Sequence, residues 1–124
     1  FGEDVTKHGI PAATLAKLDT LIVSDILPNE TTKLAHVLLP GAAHAEKRGS
    51  FTNAKGRVQR FFPAVQPPGD ARAEWEFLSE VVAATGQAVP QNIEGLFNLM
   101  AREVPAFAGL TWAGLGEHGA VATI

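Results

Sequence analysis

The chain has 124 residues, one domain by length and enough to bury a real core. A composition of 46% hydrophobic and 19% charged residues is that of a soluble globular protein, and a net charge of −3 argues against a generally basic nucleic-acid-binding surface. The absence of cysteine excludes disulfides, a cysteine nucleophile, thiolate zinc sites and iron–sulfur ligation within these residues, and no apolar run approaches the ~18 residues of a membrane span.

Phe1-Gly2-Glu3-Asp4 has no initiator Met and reads like a strand end entering a loop, so the chain is expected to be excised from a longer one. Residues 1–10 are read as that strand end and loop. Pro11 suits the first helical position, where its missing N–H costs nothing. Ala12, Ala13, Leu15, Ala16 and Leu18 continue a short helix that Asp19-Thr20 breaks. Leu21-Ile22-Val23 is a continuous apolar run, the pattern of a strand covered on both faces, with Ser24 and Asp25 at its carboxyl end. Pro28-Asn29 marks a turn, and Asn29 is placed to cap a short helix over 30–35. His36 to Leu39 reads as a second buried strand, stopped by Pro40-Gly41. The order α-β-α-β over 11–40 favours a parallel sheet with crossover helices.

Residues 41–49 read as a loop with a helical turn. Ser50-Phe51-Thr52 and the stretch from Arg57 to Phe61 alternate polar and apolar, and are expected to pair as a hairpin across Asn53-Ala54-Lys55-Gly56. Pro67-Pro68-Gly69-Asp70 is a firm break. A helix over 71–85 follows, its face set by Trp75, Leu78 and Val82, widened by Phe77 and Val81, with Gly86 as C-terminal cap. A further helix over 91–103 presents Ile93, Leu96, Phe97 and Met100 and ends at Pro105. Thr111 is expected to cap a last turn through Leu115, and the glycine-rich stretch from Gly109 to Gly119 to curve over the surface. The fold class expected is α/β: a partial parallel sheet with flanking helices, then a hairpin and a helical segment. Residues 1–66 are read as the α/β portion of a domain and 67–124 as its helical extension.

The most distinctive stretch is Glu46 to Arg60, EKRGSFTNAKGRVQR, which holds five of the ten lysines and arginines. Lys47, Arg48, Lys55, Arg57 and Arg60, with Gly49 and Gly56 permitting close backbone approach, suit an anionic group. A solvated charged surface explains the same residues, and the stretch is neither a P-loop nor a GxGxxG fingerprint. Lys47 is the candidate ligand among them, working with Asp25 across the strand ends; Arg57 and Arg60 are read as bracing the hairpin. In open α/β sheets ligands bind beyond the carboxyl ends of the strands, where the Asp25 carboxylate can accept two N–H donors from a guanine-like ring. The plainer reading is that Asp25 ends the strand and caps a turn. Glu74 opens a helix, and the helix dipole alone explains a carboxylate there. His8, His36, His44 and His118 lack metal-ligand spacing, and Ser24, Ser50 and Ser79 lie in no nucleophile elbow. The stripes of Trp75 and Phe97 are read as core packing, not as a stacking platform for nucleic acid.

LDTLIVSDILPNETTKLAHVLLPGAAHAEKRGSFTNAKGRVQRF, followed by PPGDARAEW, resembles the molybdopterin oxidoreductase family over residues 18–75. The usual pattern there is a strand ending in Asp, then E-T-x-x-x-A-D-V-x-L-P, E-K-x-G-T-F-T-N-x-E-G-R-V-Q and P-G-x-A-x-x-D-W. The tail FAGLTWAGLGEHG is similar to the segment that follows these motifs in formate dehydrogenases. The resemblance implies an oxidoreductase parent, and catalytic members hold molybdenum or tungsten on two pterin guanine dinucleotides. Their contacts from the strand-end Ser-Asp, the Lys of E-K-x-G and the acid of D-W fall here on Ser24, Asp25, Lys47 and Glu74. It also implies that the iron–sulfur clusters, the metal ligand and the pterin-clasping C-terminal domain lie elsewhere in the parent, so this chain alone catalyses nothing.

Among the departures from the pattern, His36 and Glu74 each replace an Asp, and Lys55 replaces a Glu. The Lys55 variant is similar to the large iron–sulfur subunit of NADH–quinone oxidoreductase (complex I), where this region commonly persists as scaffold without pterin. Two parents are therefore in view, the complex I subunit first and a formate dehydrogenase as the alternative. A complex I scaffold is favoured by His36 and Lys55, and a formate dehydrogenase-type enzyme binding molybdopterin guanine dinucleotide by Ser24, Asp25, Lys47 and the tail. A stand-alone phosphate- or nucleotide-binding module is a third reading, opposed by the abrupt N-terminus. Either parent implies as partners the rest of its chain and other subunits of a respiratory or formate-oxidising complex, with no nucleic acid and no direct membrane insertion. The implied location is cytoplasmic, peripheral to the inner membrane in the complex I case.

Overall fold

The computed structural model describes residues 3–123; the strand end expected at Phe1-Gly2 lies outside the described residues. Val5–His8 form a 3-10 turn where loop was expected, because Asp4 caps it. The buried Asp4 carboxylate accepts from the Thr6 hydroxyl at 2.7 Å, the Thr6 N–H at 3.2 Å and the Thr31 hydroxyl at 2.9 Å. These bonds, the Thr6 hydroxyl first, hold its carboxyl at about 2, below the ordinary 3.8. The Thr31 bond also ties the N-terminal turn to a segment 27 residues away. Helix α1 (Ala12–Leu15) is a single turn with Pro11 as its N-cap, and Leu15 is its buried residue.

Strands β1 (Ile22–Asp25) and β2 (Val37–Pro40) pair in parallel, from Ile22 opposite Val37 to Asp25 opposite Pro40. The crossover between them is shorter than expected, a 3-10 turn at Thr32–Leu34. Asn29 caps it as its side chain allows: Oδ1 accepts from the Thr32 N–H at 3.0 Å, while the Thr32 hydroxyl bonds back to the Asn29 backbone. Burial departs from expectation. β1 buries Val23 and Ser24, but Ile22, Val37 and Leu38 stand exposed. An apolar run this dense belongs to a sheet covered on both faces, but Val37 and Leu38, successive residues of β2, point to opposite faces and both are exposed, so the described residues leave each face of this two-stranded sheet partly uncovered.

The expected hairpin forms: β3 (Gly49–Thr52) and β4 (Arg57–Phe61) pair antiparallel, Gly49 opposite Phe61 and Thr52 opposite Val58. Gly56, at φ 75°, and the Asn53 side chain, which accepts from the N–H groups of Lys55 and Arg57, make the turn. A third strand, β5 (Ala120–Val121), pairs with Arg57 and Val58. At two residues it is too short to show alternation.

Helix α2 (Glu74–Ala84) ends at Gly86, which takes φ 83°. Helix α3 (Ile93–Glu103) is capped by Asn92, whose Oδ1 accepts from Gly95 N–H at 2.8 Å. Thr111 caps the last turn, accepting from Gly114 N–H at 3.0 Å. The core joins Val58, Phe97, Ala101, Trp112, Leu115 and Ala122, with the Phe97 and Trp112 rings edge-on at 5.7 Å. The glycine-rich segment therefore does more than curve over the surface, since Trp112 is 2% exposed and Leu115 is buried with it. In α2 the buried apolar residue is Phe77, and Leu78 and Val81 are exposed. Apolar residues at 75, 77, 78, 81 and 82 cover one broad arc of roughly 160°, so periodicity cannot choose which part of it turns inward. No described helix is long and apolar enough to cross a membrane.

Candidate functional site

Both parallel strands end at one edge, and the chain beyond β2 builds a site there. Gly41, just past Pro40, bridges to Arg72. Ala42 N–H donates to the Arg72 carbonyl at 2.9 Å, and Arg72 N–H donates to the Pro40 carbonyl at 3.0 Å. Arg72 is fixed on its other side by a fork to Glu80 at 2.7 and 3.1 Å and by its stack on the Phe77 ring at 4.6 Å. That fork lowers the Glu80 carboxyl and raises the Arg72 guanidinium from their ordinary values. The bridge thereby delivers Glu74, first residue of α2, to the strand ends.

Three side chains meet there around one glycine. Ser24 is 5% exposed, and its Oγ has no hydrogen-bond partner among the described residues. Glu74 Oε2 pairs with Lys47 Nζ, the two side chains being 26% and 21% exposed. The other carboxylate oxygen, Oε1, faces Gly41. A Cβ at position 41 would come 2.8 Å from Glu74 Oε1 and 3.3 Å from Ser24 Oγ, so the missing side chain leaves the space that these atoms border. Lys47, Arg48 and Glu74 continue into a cleft of about 480 Å³ whose walls include His44, Phe51, Phe61 and Trp75.

Asp25 stands apart from this group. Its Oδ1 accepts from Ile26 N–H at 2.7 Å and Leu27 N–H at 3.4 Å, and its Oδ2 accepts from Asn29 Nδ2 at 2.7 Å. Lys47 therefore pairs with Glu74 and not with Asp25, whose carboxylate shapes the turn after β1. Asp25 lines a separate cavity of about 190 Å³ with Ile26, Pro28 and Thr32. Of the other cations, Arg57 donates to the His118 carbonyl at 3.1 Å, and Arg60 donates twice to the Gly116 carbonyl at 2.8 and 3.2 Å. They brace β4 against the C-terminal segment. Arg48 lies over the Phe62 ring at 5.1 Å and the Trp112 ring at 5.8 Å.

The departures at 36 and 55 acquire local explanations. His36 Nδ1 accepts the Leu21 N–H at 2.9 Å, a bond that a carboxylate at that position can also accept. Lys55 sits at the exposed hairpin turn and is no part of the cleft wall. Gly41 and Phe51 were not singled out from sequence. The first looked like a strand stop, and nothing local distinguishes an exposed ring in a hairpin from one facing a core. Trp75, expected in the core, is half-buried against the cleft.

The sequence model of the molybdopterin oxidoreductase family matches residues 5–84, and those residues hold the strand ends, Lys47, Gly41 and Glu74. The chain belongs to the molybdopterin oxidoreductase family. It is 42% identical over 108 residues to F420-dependent formate dehydrogenase 2 subunit alpha of Methanococcus maripaludis, covering 85% of the chain and 16% of that protein. It is 42% identical over 97 residues to NADPH-Fe(3+) oxidoreductase subunit alpha of Geobacter sulfurreducens, covering 77% and 12%. It is 38% identical over 110 residues to a subunit of the NADH-quinone oxidoreductase of Rhizobium meliloti, covering 88% and 13%. The chain thus spans about a sixth or less of the length of these relatives.

Membership implies a molybdopterin cofactor in the parent protein. The residues at the strand ends fit such a group. Ser24 offers a buried hydroxyl with no partner among the described residues, Gly41 keeps the space before it open, and Glu74 and Lys47 offer an acceptor and a cation side by side. Asp25 fits less well, because its oxygens already serve its own turn.

Proposed function

We propose that the chain is part of an oxidoreductase subunit and supplies one wall of a molybdopterin guanine dinucleotide site. The observation that carries this reading is the partnerless Ser24 Oγ, buried beside Gly41 and the free oxygen of Glu74. Leaving a buried hydroxyl unpaired costs ~1–3 kcal/mol, so a fold that keeps one at a strand end is poised to receive a polar partner. Ser24 and Glu74 Oε1 take N–H donors of the ligand, and Lys47 offsets phosphate charge. The cofactor supplies the redox chemistry when bound; these residues bind it, orient it and exclude water. Asp25 contributes by holding the turn at the rim of the site.

The cradle favours a formate dehydrogenase-type parent, in keeping with the similarity to alpha subunits that carry that name. In that parent the iron–sulfur clusters lie outside these residues. The partners are the rest of the chain and the other subunits of a formate-oxidising complex in the cytoplasm. Residues 1–66 and 67–124 act as one domain, because Val58 shares its core with Phe97 and Trp112. A second reading is the pterin-free scaffold of the large NADH–quinone oxidoreductase subunit, peripheral to the inner membrane. It draws on His36, Lys55 and the similarity to a subunit of that complex. Metal analysis of the parent protein, with release of a fluorescent pterin on oxidation, separates the two. Molybdenum or tungsten and pterin near one equivalent are expected; a parent lacking both belongs to the scaffold reading.

A further inference from the structure

We infer that the groove between helices α2 and α3 is the docking site for an amphipathic helix of a partner subunit, one with apolar side chains at i, i+3 or i+4 and i+7 and with lysines or arginines along its flank. The inference takes from the proposed function only that the parent works with other subunits, and nothing from the cofactor site.

Each helix lines the groove with a stripe of helical period. Trp75, Leu78 and Val82 are spaced i, i+3, i+7 on α2, and Ile93, Leu96 and Met100 repeat that spacing on α3. Ser79 and Phe97, the i+4 members of the two stripes, are the most buried of the lining residues, each 4% exposed. Apolar stripes of this kind ordinarily close on each other, with helix axes about 8–10 Å apart. Here α2 and α3 make almost no direct contact, and an open groove of about 320 Å³ lies between them. Leu78 is left 48% exposed at its edge. Seven residues of helix rise about 10 Å, so the stripes offer two turns of contact, the span over which a docked helix presents its i, i+3 or i+4 and i+7 anchors. A polar ligand finds little to bond, since Ser50 and Ser79 are the polar residues of the lining.

Charge selects the partner. Together α2 and α3 carry five glutamates and one arginine. A second cavity, of about 230 Å³ and with Glu76, Glu80 and Gln91 in its wall, adjoins the groove at Trp75 and Ser79, which border both. Arg72 occupies the Glu80 carboxylate, whereas Glu76 has no cation partner among the described residues. An acidic helix, or a second copy of this acidic helix pair, is repelled there. A lysine or arginine on the flank of a docked helix meets Glu76 beside the apolar seam.

The test is fluorescence titration of the 124-residue chain with a synthetic helical peptide that carries leucines at i, i+4 and i+7 and lysines on its flank. Trp75 borders the groove and reports docking by a blue shift, while Trp112, 2% exposed in the core, stays constant. Saturable binding is expected, both to the chain and to the parent protein freed of its other subunits. Leu78→Asp puts a charge into the seam and is expected to weaken binding by about 30-fold, the loss of one central anchor; Leu78→Met keeps the apolar contact and the binding. Glu76→Gln is expected to weaken binding severalfold at low salt and to make little difference at about 1 M salt. Leu78 is half exposed, so its replacement spares the core, and circular dichroism verifies the fold of each variant. No binding, or equal binding of the same peptide in scrambled order, overturns the inference. So does self-association of the chain that Leu78→Asp abolishes, which assigns the groove to a second copy. Binding to the chain but not to the parent freed of its other subunits assigns the groove to the parent's own remaining chain and overturns the partner subunit. None of these results bears on the metal and pterin content that tests the cofactor reading.

Discussion

Gly41→Ala, made with and without Glu74→Asp, tests the geometry of the cradle most directly. Gly41 has no positive φ, so its backbone accepts alanine, and the substitution by itself stabilises by ~0.4–1 kcal/mol through a less flexible unfolded chain. Against this, the new Cβ meets Glu74 Oε1 at 2.8 Å, closer than such contacts allow, and Ser24 Oγ at 3.3 Å. Glu74 cannot swing freely, because Lys47 holds its other oxygen. Overpacking of this kind costs about 1–3 kcal/mol, so it outweighs the gain and the single variant is expected to be less stable by roughly 1 kcal/mol. Shortening the carboxylate withdraws it by about one carbon–carbon bond, ~1.5 Å, and removes the clash. In the Glu74→Asp background, Gly41→Ala is therefore expected to stabilise, reversing its sign. Urea unfolding of the four proteins of this cycle measures the coupling, expected at about 1–2 kcal/mol. The same sign and size of effect in both backgrounds would refute the reasoning. It would show that Glu74 does not occupy the space that Gly41 leaves.

Lys47→Met strands the Glu74 carboxylate in a partly buried place, and a loss of about 1–2 kcal/mol is expected, between exposed and buried pairs; urea denaturation measures it, and Lys47→Met/Glu74→Gln should regain most of it. Asp4, with its carboxyl held at about 2 against 3.8 when unfolded, contributes stability that is fully present above the unfolded value and lost as pH falls through the folded one. The melting-temperature advantage of the wild type over Asp4→Asn is thus expected to be flat near neutral pH and to shrink between 3.8 and about 2; an advantage independent of pH would contradict this. Trp112→Ala removes a fully buried ring that meets Phe97 edge-on, and a loss of about 3–5 kcal/mol is expected, read by chemical denaturation.

Features made by neighbours along the chain were legible in the sequence. Asn29 caps Thr32, Thr111 caps Gly114, Asn53 and Gly56 turn the hairpin, and Gly86 ends α2. Each rests on a hydrogen bond or a backbone angle spanning at most four residues, so residue type and spacing determine it. The parallel pairing of β1 and β2 followed from element order, and the family from motifs in fixed succession.

Contacts that depend on long chain closures were not legible. Lys47 and Asp25 both carry the right charge for a pair, but only the bridge from Gly41 to Arg72 shows that Glu74 reaches Lys47 first and that Asp25 turns to Asn29. Trp112 and Leu115 enter the core by packing on Val58 and Phe97 across a long closure, where Arg57 and Arg60 also bond the segment after them to β4 over 61 and 56 residues' separation. Sequence by itself determined the local turns, the class of fold and the family. Tertiary structure alone decided which carboxylate meets Lys47, which hydroxyl is left without a partner and where a ring stands free. These are properties of space shared by distant segments, and a pattern read along one chain does not contain them.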